Sequence, residues 1–207
     1  MSRWWYALLI GLTGCADTAT RRGGLAAQGL IMADAPVQAT AEITVAAPQS
    51  RIWSLLTGVK DWSKWQTDIA RTSITGNPAV GIPFQWSTGR IKVHSTIRLI
   101  DPERTFCWTG RVAYFHAIHC WSLSPLPDGR TLVTTRESMD GWLISRLYSS
   151  RELLESDQRW LLHLKQAAES DQALNGAAPQ LRACSAATWQ NPARRLPQAA
   201  WVAEASR

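Results

Sequence analysis

The sequence predicts an α+β domain: a curved antiparallel sheet of about seven strands, closed by one long C-terminal helix. Three observations predict it. Between residues 69 and 139 six runs rich in β-formers follow one another, separated by Asn77-Pro78, Gly89, Asp101-Pro102 and the stretch Pro125 to Gly129. No helical pattern lies between those runs, which argues against the crossovers of a parallel sheet. At Trp142 the apolar period then changes, with Leu143, Leu147, Leu154, Leu161 and Ala168 recurring at fours and sevens.

The elements follow in order. Thr40 to Ala46 alternates and reads as a first strand. Pro48 suits the first turn of a helix, where its missing N–H costs nothing, and Ile52, Trp53, Leu55, Leu56 and Val59 form its apolar stripe up to a break at Gly58. Asp61 to Trp65 reads as a second short helix or turn with Trp62 and Trp65 on one face. The six strands are expected at 69–75, 83–88, 90–100, 105–112, 114–123 and 131–139. In the third of them Ile91, Val93, Ile97 and Leu99 alternate with Lys92, His94, Thr96 and Arg98, the mark of a half-buried strand. The final helix is expected from Trp142 to about Asp171. Such a sheet can wrap the helix and leave a void between them.

The chain has 207 residues and a net charge of +6. The charge is unevenly placed. Residues 40–171 hold fifteen basic against thirteen acidic side chains, and residues 172–207 hold four Arg against one Glu. A folded body so near neutrality lacks the basic stripe that nucleic acid requires, so no nucleic-acid partner is expected. No stretch of about 18 uncharged apolar residues occurs, which excludes an ordinary membrane-spanning helix. Twelve of the eighteen aromatic residues are Trp. Large flat rings in that number need covering, by protein or by a ligand.

Both ends differ from the body. Arg3 precedes the apolar stretch Trp4 to Leu12, which is too short to span a bilayer but long enough for a signal peptide. It ends in Leu12-Thr13-Gly14-Cys15, which resembles the lipobox of bacterial lipoproteins. That resemblance implies a signal peptide at 1–14, lipidation of Cys15, a flexible tether over 15–39, and a membrane-anchored protein on the periplasmic side of the cell envelope. The alternative is translation from Met32, which would remove the signal and leave the protein cytoplasmic. Residues 172–207 are Ala- and Pro-rich and are expected to be a disordered tail.

The body, residues 40–171, resembles the START-like (SRPBCC) superfamily of helix-grip proteins, and within it the polyketide cyclase/dehydrase-like lipid-transport group. The residues that carry the resemblance are Ala47-Pro48 with Ile52 to Leu56, Asp61 to Trp65, Trp108 to Arg111, Ala117 to Trp121, and Thr135 to Ser138 with Gly141-Trp142. It implies a deep apolar cavity under the long helix and binding of lipids or other hydrophobic small molecules. Only some members are enzymes.

A tight turn centred between Ala113 and Tyr114 makes facing residue numbers in the 105–123 hairpin sum to 227. Trp108 then faces His119, Phe106 faces Trp121, and Cys107 faces Cys120 on the opposite side of the sheet. His119 and Glu137 are the candidate catalytic acid/base pair, or else a buried pair that satisfy each other or the backbone. Trp86, Trp108, His119, Trp121 and Glu137 are the candidate ligand-binding residues. Cys107 and Cys120 either bridge, leaving Cys184 over, or stay as two thiols. His94 and His116 are expected on the surface and His163 on the helix flank. Four dispersed His, with no CxxC or HExxH, give no metal site, and no cofactor is expected. A hydrophobic ligand and, through its anchor, a membrane are the expected partners. A cyclase or dehydratase using His119 and Glu137 is the alternative function.

Overall fold

In the computed structural model of the chain, residues 18–113 and 115–184 are described, with side-chain surroundings through Ser170. The expected signal peptide, Cys15, Tyr114 and residues 185–207 lie outside them. The strands are β1 (Val37–Val45), β2 (Ile69–Ile74), β3 (Pro83–Thr88), β4 (Ile91–Asp101), β5 (Thr105–Val112), β6 (Phe115–Pro125) and β7 (Thr131–Gly141). They form one seven-stranded sheet in the order β1-β7-β6-β5-β4-β3-β2, with antiparallel pairs throughout. With its long closing helix this is the α+β helix-grip architecture that the sequence predicts.

The β5–β6 register is the expected one: Trp108 pairs with His119, Phe106 with Trp121 and Cys107 with Cys120. The pleat then sorts the hairpin by face. Trp108, His119 and Trp121 point to the concave side. Cys107 and Cys120 point to the convex side, where they form a disulfide.

Helices α2 (Gln49–Thr57) and α3 (Trp62–Trp65), joined through a 3-10 turn at Val59–Asp61, close one end of the concave face. Their Ile52, Leu56, Val59 and Trp62 are buried in the main core with Phe84, Ile97, Phe106, Trp108 and Trp121 of the sheet. The Trp62 indole N–H donates to the Leu56 carbonyl at 2.9 Å, so the buried ring loses no hydrogen bond.

Two expectations are corrected at the helices. The predicted single helix from Trp142 is in fact two, α4 (Ile144–Leu147) and α5 (Ser150–Cys184). Tyr148 between them is extended, with φ −150° and ψ 137°. The cause is a capping box. The Ser149 hydroxyl accepts from the Glu152 N–H at 3.2 Å, and the Glu152 carboxylate accepts from the Ser149 N–H at 2.8 Å. Two donors at the start of α5 are thus satisfied by a Ser-x-x-Glu pattern visible in the sequence. The break sets the true stripe of α5, in which Leu153, Asp157, Trp160, Leu161, Leu164 and Ala168 are buried. Trp142 is 84% exposed. The second correction is at the far end: α5 runs to Cys184, so residues 172–184 are helical and not a disordered tail. Ala173, Ala177 and Ala178 there carry high helix propensity. The compact body itself ends at Gln172.

The tether is corrected as well. Residues 18–27 form a helix, α1, and β1 begins at Val37 rather than residue 40. Ala26, Met32 and Ala35 are buried against Cys107, Ile118 and Cys120 on the convex face of the sheet. Gly29 ends α1 with φ +72°, and the Leu30 and Gly29 N–H groups bond back to Leu25 and Ala26 at 2.9 and 3.1 Å. Arg136 donates to the Gly29 carbonyl at 2.9 Å, and Ser138 accepts from the Met32 N–H at 3.0 Å. Apolar residues spaced along 25–35 therefore have a surface to cover, which a linker does not.

Replacing Ser149 with Ala removes one half of the capping box. Urea unfolding of Ser149→Ala is expected to show a loss of about 1 kcal/mol, in the range of N-cap substitutions. An unchanged midpoint would mean that the α4–α5 break has another cause.

Candidate functional site

The concave face carries one row of side chains across five strands: Ala39, Glu137, His119, Trp108 and Ile97, set by the registers of β1–β7, β7–β6, β6–β5 and β5–β4. Helix α5 lays Asp157 over the middle of that row. The His119 Nδ1 lies 3.4 Å from the Glu137 carboxylate, and its Nε2 lies 4.0 Å from that of Asp157. The Thr135 hydroxyl is 2.7 Å from Nε2. The imidazole is sandwiched between Trp108, at a ring distance of 4.6 Å, and Trp121 at 5.4 Å. Asp157 is 1% exposed and His119 3%.

Burial decides the charges. It pushes His119 down to about 3, so the ring is neutral. With Nδ1 turned toward Glu137 as the donor, Nε2 accepts from the Thr135 hydroxyl. Burial, with Asp157 close by, pushes Glu137 well above the usual carboxylate range. Burial likewise pushes Asp157 up to about 7. Among the described residues, neither Asp157 oxygen meets an N–H or a hydroxyl. Its neighbour is the Glu137 carboxyl, and a hydrogen bond between two carboxyls needs a proton on one of them. The pair therefore holds a proton near neutral pH, beside a neutral imidazole.

Among the described residues, this trio is the group whose donor atoms come closest to a metal-ligand set, within 4.8 Å of one another. The geometry does not converge on one ion. Glu137 stands at Nδ1, Asp157 stands at Nε2, and Thr135 already engages Nε2. A shared proton fits this arrangement better than a cation does.

Of the expected site residues, Trp108, His119, Trp121 and Glu137 come together. Trp86 stands apart from the trio. It is half-buried, donates its N–H to the Ser95 hydroxyl at 3.1 Å, and meets Trp160 at 5.9 Å. Asp157 was missed. Its signal was periodicity, an acid at the core position between Leu153 and Leu161, hidden while the stripe was counted from Leu143. His94 is exposed and His116 half-exposed, both on the convex side. His163 lies on the flank of α5, where its Nδ1 meets Gln66.

The void expected under the helix is filled by rings. Trp160 descends from α5 and meets Trp62 at 5.4 Å, Trp65 at 5.9 Å and Trp121 at 5.9 Å, with Trp62 in turn on Trp108 at 5.5 Å. Indoles are large enough to close the gap that smaller side chains would leave. Two clefts of about 500 Å³ open outward instead, one on the convex face and one bordered by Leu55, Trp65 and Gln166.

Residues 36–159 match the family described as polyketide cyclase/dehydrase and lipid transport. The chain belongs to this family. The fold of the family recurs in solved structures of low identity. A hypothetical protein of Helicobacter pylori is 17% identical with a TM-score of 0.60, over 66% of this chain and 90% of that one. A START superfamily protein from Mycobacterium smegmatis is 13% identical with a TM-score of 0.56, over 64% and 97%. A protein of the dynemicin biosynthetic locus is 14% identical with a TM-score of 0.54, over 65% and 48%. No curated protein matches the chain. Membership gives this protein a fold built for hydrophobic ligands, and at these identities the solved structures show the fold alone.

The protonation pattern has a consequence for stability. An acid whose pKa is higher in the fold than in the unfolded chain keeps its proton in the fold between the two values, so stability falls as pH climbs through that interval. For Asp157 the interval runs from 3.8 to about 7, and Glu137 carries it upward from 4.5. His119, with its pKa lowered from 6.5 to about 3, has the opposite slope, which is spent by pH 6.5. Above that pH only the fall remains. Urea unfolding between about pH 6.5 and 8.5 should show declining stability in the wild type and a flatter profile in Asp157→Asn. Equal slopes in the two proteins would refute the shared proton.

Proposed function

We propose that the protein binds a hydrophobic small molecule bearing a hydroxyl or carbonyl group, taken up between the concave face of the sheet and α5. The observation that carries this reading is the buried trio. Two adjacent buried carboxyls cost several kcal/mol, more than an apolar pair of the same volume, and such perturbed groups cluster at functional sites. Here they sit with His119 in a shell of indoles, which is how ligand sites are composed: apolar walls with a few placed polar groups. The Glu137–Asp157 pair, with one proton between two acids, supplies a donor and an acceptor for the polar end of the guest, and His119, held by Thr135, positions Glu137. Trp108 and Trp121 flank that end, and half-buried Trp86 and Trp65 border the rings that must move aside.

Neutral N-phenyl-1-naphthylamine tests the interior directly. Trp160→Leu vacates the centre of the grip, at a cost of about 2–4 kcal/mol on cavity grounds. It should bind the probe at least tenfold more tightly than the wild type, with quenching of Trp fluorescence. Fluorescence unmoved in both proteins would sink interior binding.

One observation favours the enzymatic alternative. A proton held at about pH 7 is available for general acid/base work, with Asp157 and Glu137 as the couple and His119 positioned beside them. Mass spectrometry of the molecule co-purified with wild type and with Asp157→Asn separates the readings. A binder returns the same mass from both, whereas a dehydratase returns from the variant a precursor heavier by one water.

The envelope location is part of the proposal. The lipobox at Cys15 supports it, and so does the Cys107–Cys120 disulfide, since such bonds persist outside the reducing cytosol. The folded stretch 18–31 argues against a start at Met32, because its loss would bare Ile118 and the disulfide. A clickable fatty acid fed to the host should label the wild type and leave Cys15→Ala unlabelled; equal labelling would remove the anchor.

A further inference from the structure

The convex face carries a feature that neither the interior trio nor the anchor uses. Beside α1 a cleft of about 500 Å³ opens over β3, β4, β5 and β6. Its floor is set by register. His94, Arg111 and His116 stand side by side on three neighbouring strands, and Thr96 pairs with Thr109 in the next row. Arg98 donates from Nε to the Thr109 hydroxyl at 3.0 Å, and among the described residues the two terminal nitrogens of its guanidinium meet no acceptor. The α1 backbone at Gly23 lies against that guanidinium: a Cβ there would stand 3.7 Å from Arg98 Cζ. On the α1 wall Ala19 is small and leaves room, and Arg22, one turn on, closes the side.

The charge in the cleft is unbalanced. Asp140 takes Arg22 at 2.7 Å and stands 4.0 Å from His116. Among the described residues no carboxylate lies within ion-pair distance of Arg98 or Arg111. The excess is felt locally. Burial holds the His116 pKa down; Arg22 and Arg111 add to that, and Asp140 opposes it. Two guanidiniums without acids, set around a threonine hydroxyl in a concave site, form a receptor for an anion with several oxygens.

We infer that this cleft binds a phosphate ester, with Arg98 and Arg111 gripping the phosphate. Guanidinium forks match phosphate oxygens in pairs, and three oxygens engage two forks at once where a carboxylate fills one. The cleft is several times larger than a bare phosphate, so the ester's organic part has a place in it. The site takes either a soluble phosphate ester or a phospholipid headgroup, and it stands independently of the interior reading.

The test uses the full chain with glycerol 3-phosphate, followed by calorimetry, and with vesicles of phosphatidylcholine with and without phosphatidylglycerol, followed by flotation. Arg98→Gln and Arg111→Gln are compared with Arg90→Gln, whose side chain is exposed on the β3–β4 turn outside the cleft. The cleft variants should bind at least tenfold more weakly, Arg90→Gln should match the wild type, and added salt should weaken binding in the wild type. Arg-dependent binding of the soluble ester identifies a soluble ligand. Arg-dependent binding confined to phosphatidylglycerol vesicles identifies a headgroup. Thermal melts verify that the variants are folded. Binding by neither probe, equal binding by all variants, or acetate bound as tightly as glycerol 3-phosphate would overturn the inference.

Discussion

The two-residue repeat of the β5–β6 pleat is the constraint on which the molecule depends. Pairing Trp108 with His119 commits every neighbouring residue to a face. The concave face receives the indoles and the imidazole. The convex face receives the disulfide, Arg111 and His116. A slip of one residue would exchange the two sets, placing cysteines under α5 and indoles in water. The Cys107–Cys120 bond holds the register from one side, and the ring contacts of Trp108, His119 and Trp121 hold it from the other.

The second balance is between aromatic burial and buried charge. The indoles between sheet and α5 remove a large apolar area from water, at about 25 cal/mol per Å². That gain tolerates a costly feature, two adjacent buried carboxyls beside a neutral histidine. The low dielectric made by the rings is also what creates their chemistry. It strips the proton from His119 and leaves one on the Glu137–Asp157 pair. Packing and protonation are coupled here. The residues that close the interior also give its polar centre the power to donate and accept.

The convex side follows a different logic. In α1 and the segment after it, Ala26, Met32 and Ala35 cover apolar floor around the disulfide. Where α1 passes Arg98 and Arg111 it offers Ala19, Gly23 and Arg22, and the floor stays open. One helix thus seals one part of the sheet and borders a charged cleft on the next. The two faces of one sheet carry separate chemistries, because side-chain alternation isolates them.

Local pattern alone settled the succession of the seven strands, the β5–β6 register, and the shared face of Trp108, His119 and Trp121. Alternation and turn residues act over a few positions, and a hairpin register follows from its turn. The Ser149–Glu152 box and the Gly29 stop are local patterns too, but a leucine count begun at Leu143 and an alanine-rich stretch hid them, and the structure revealed both. Asp157 over the row, Trp160 in the middle of the grip, and α1 on the convex face were settled only by tertiary structure. Each requires knowing how elements distant in the chain lie against one another, and that is fixed by packing the whole core at once.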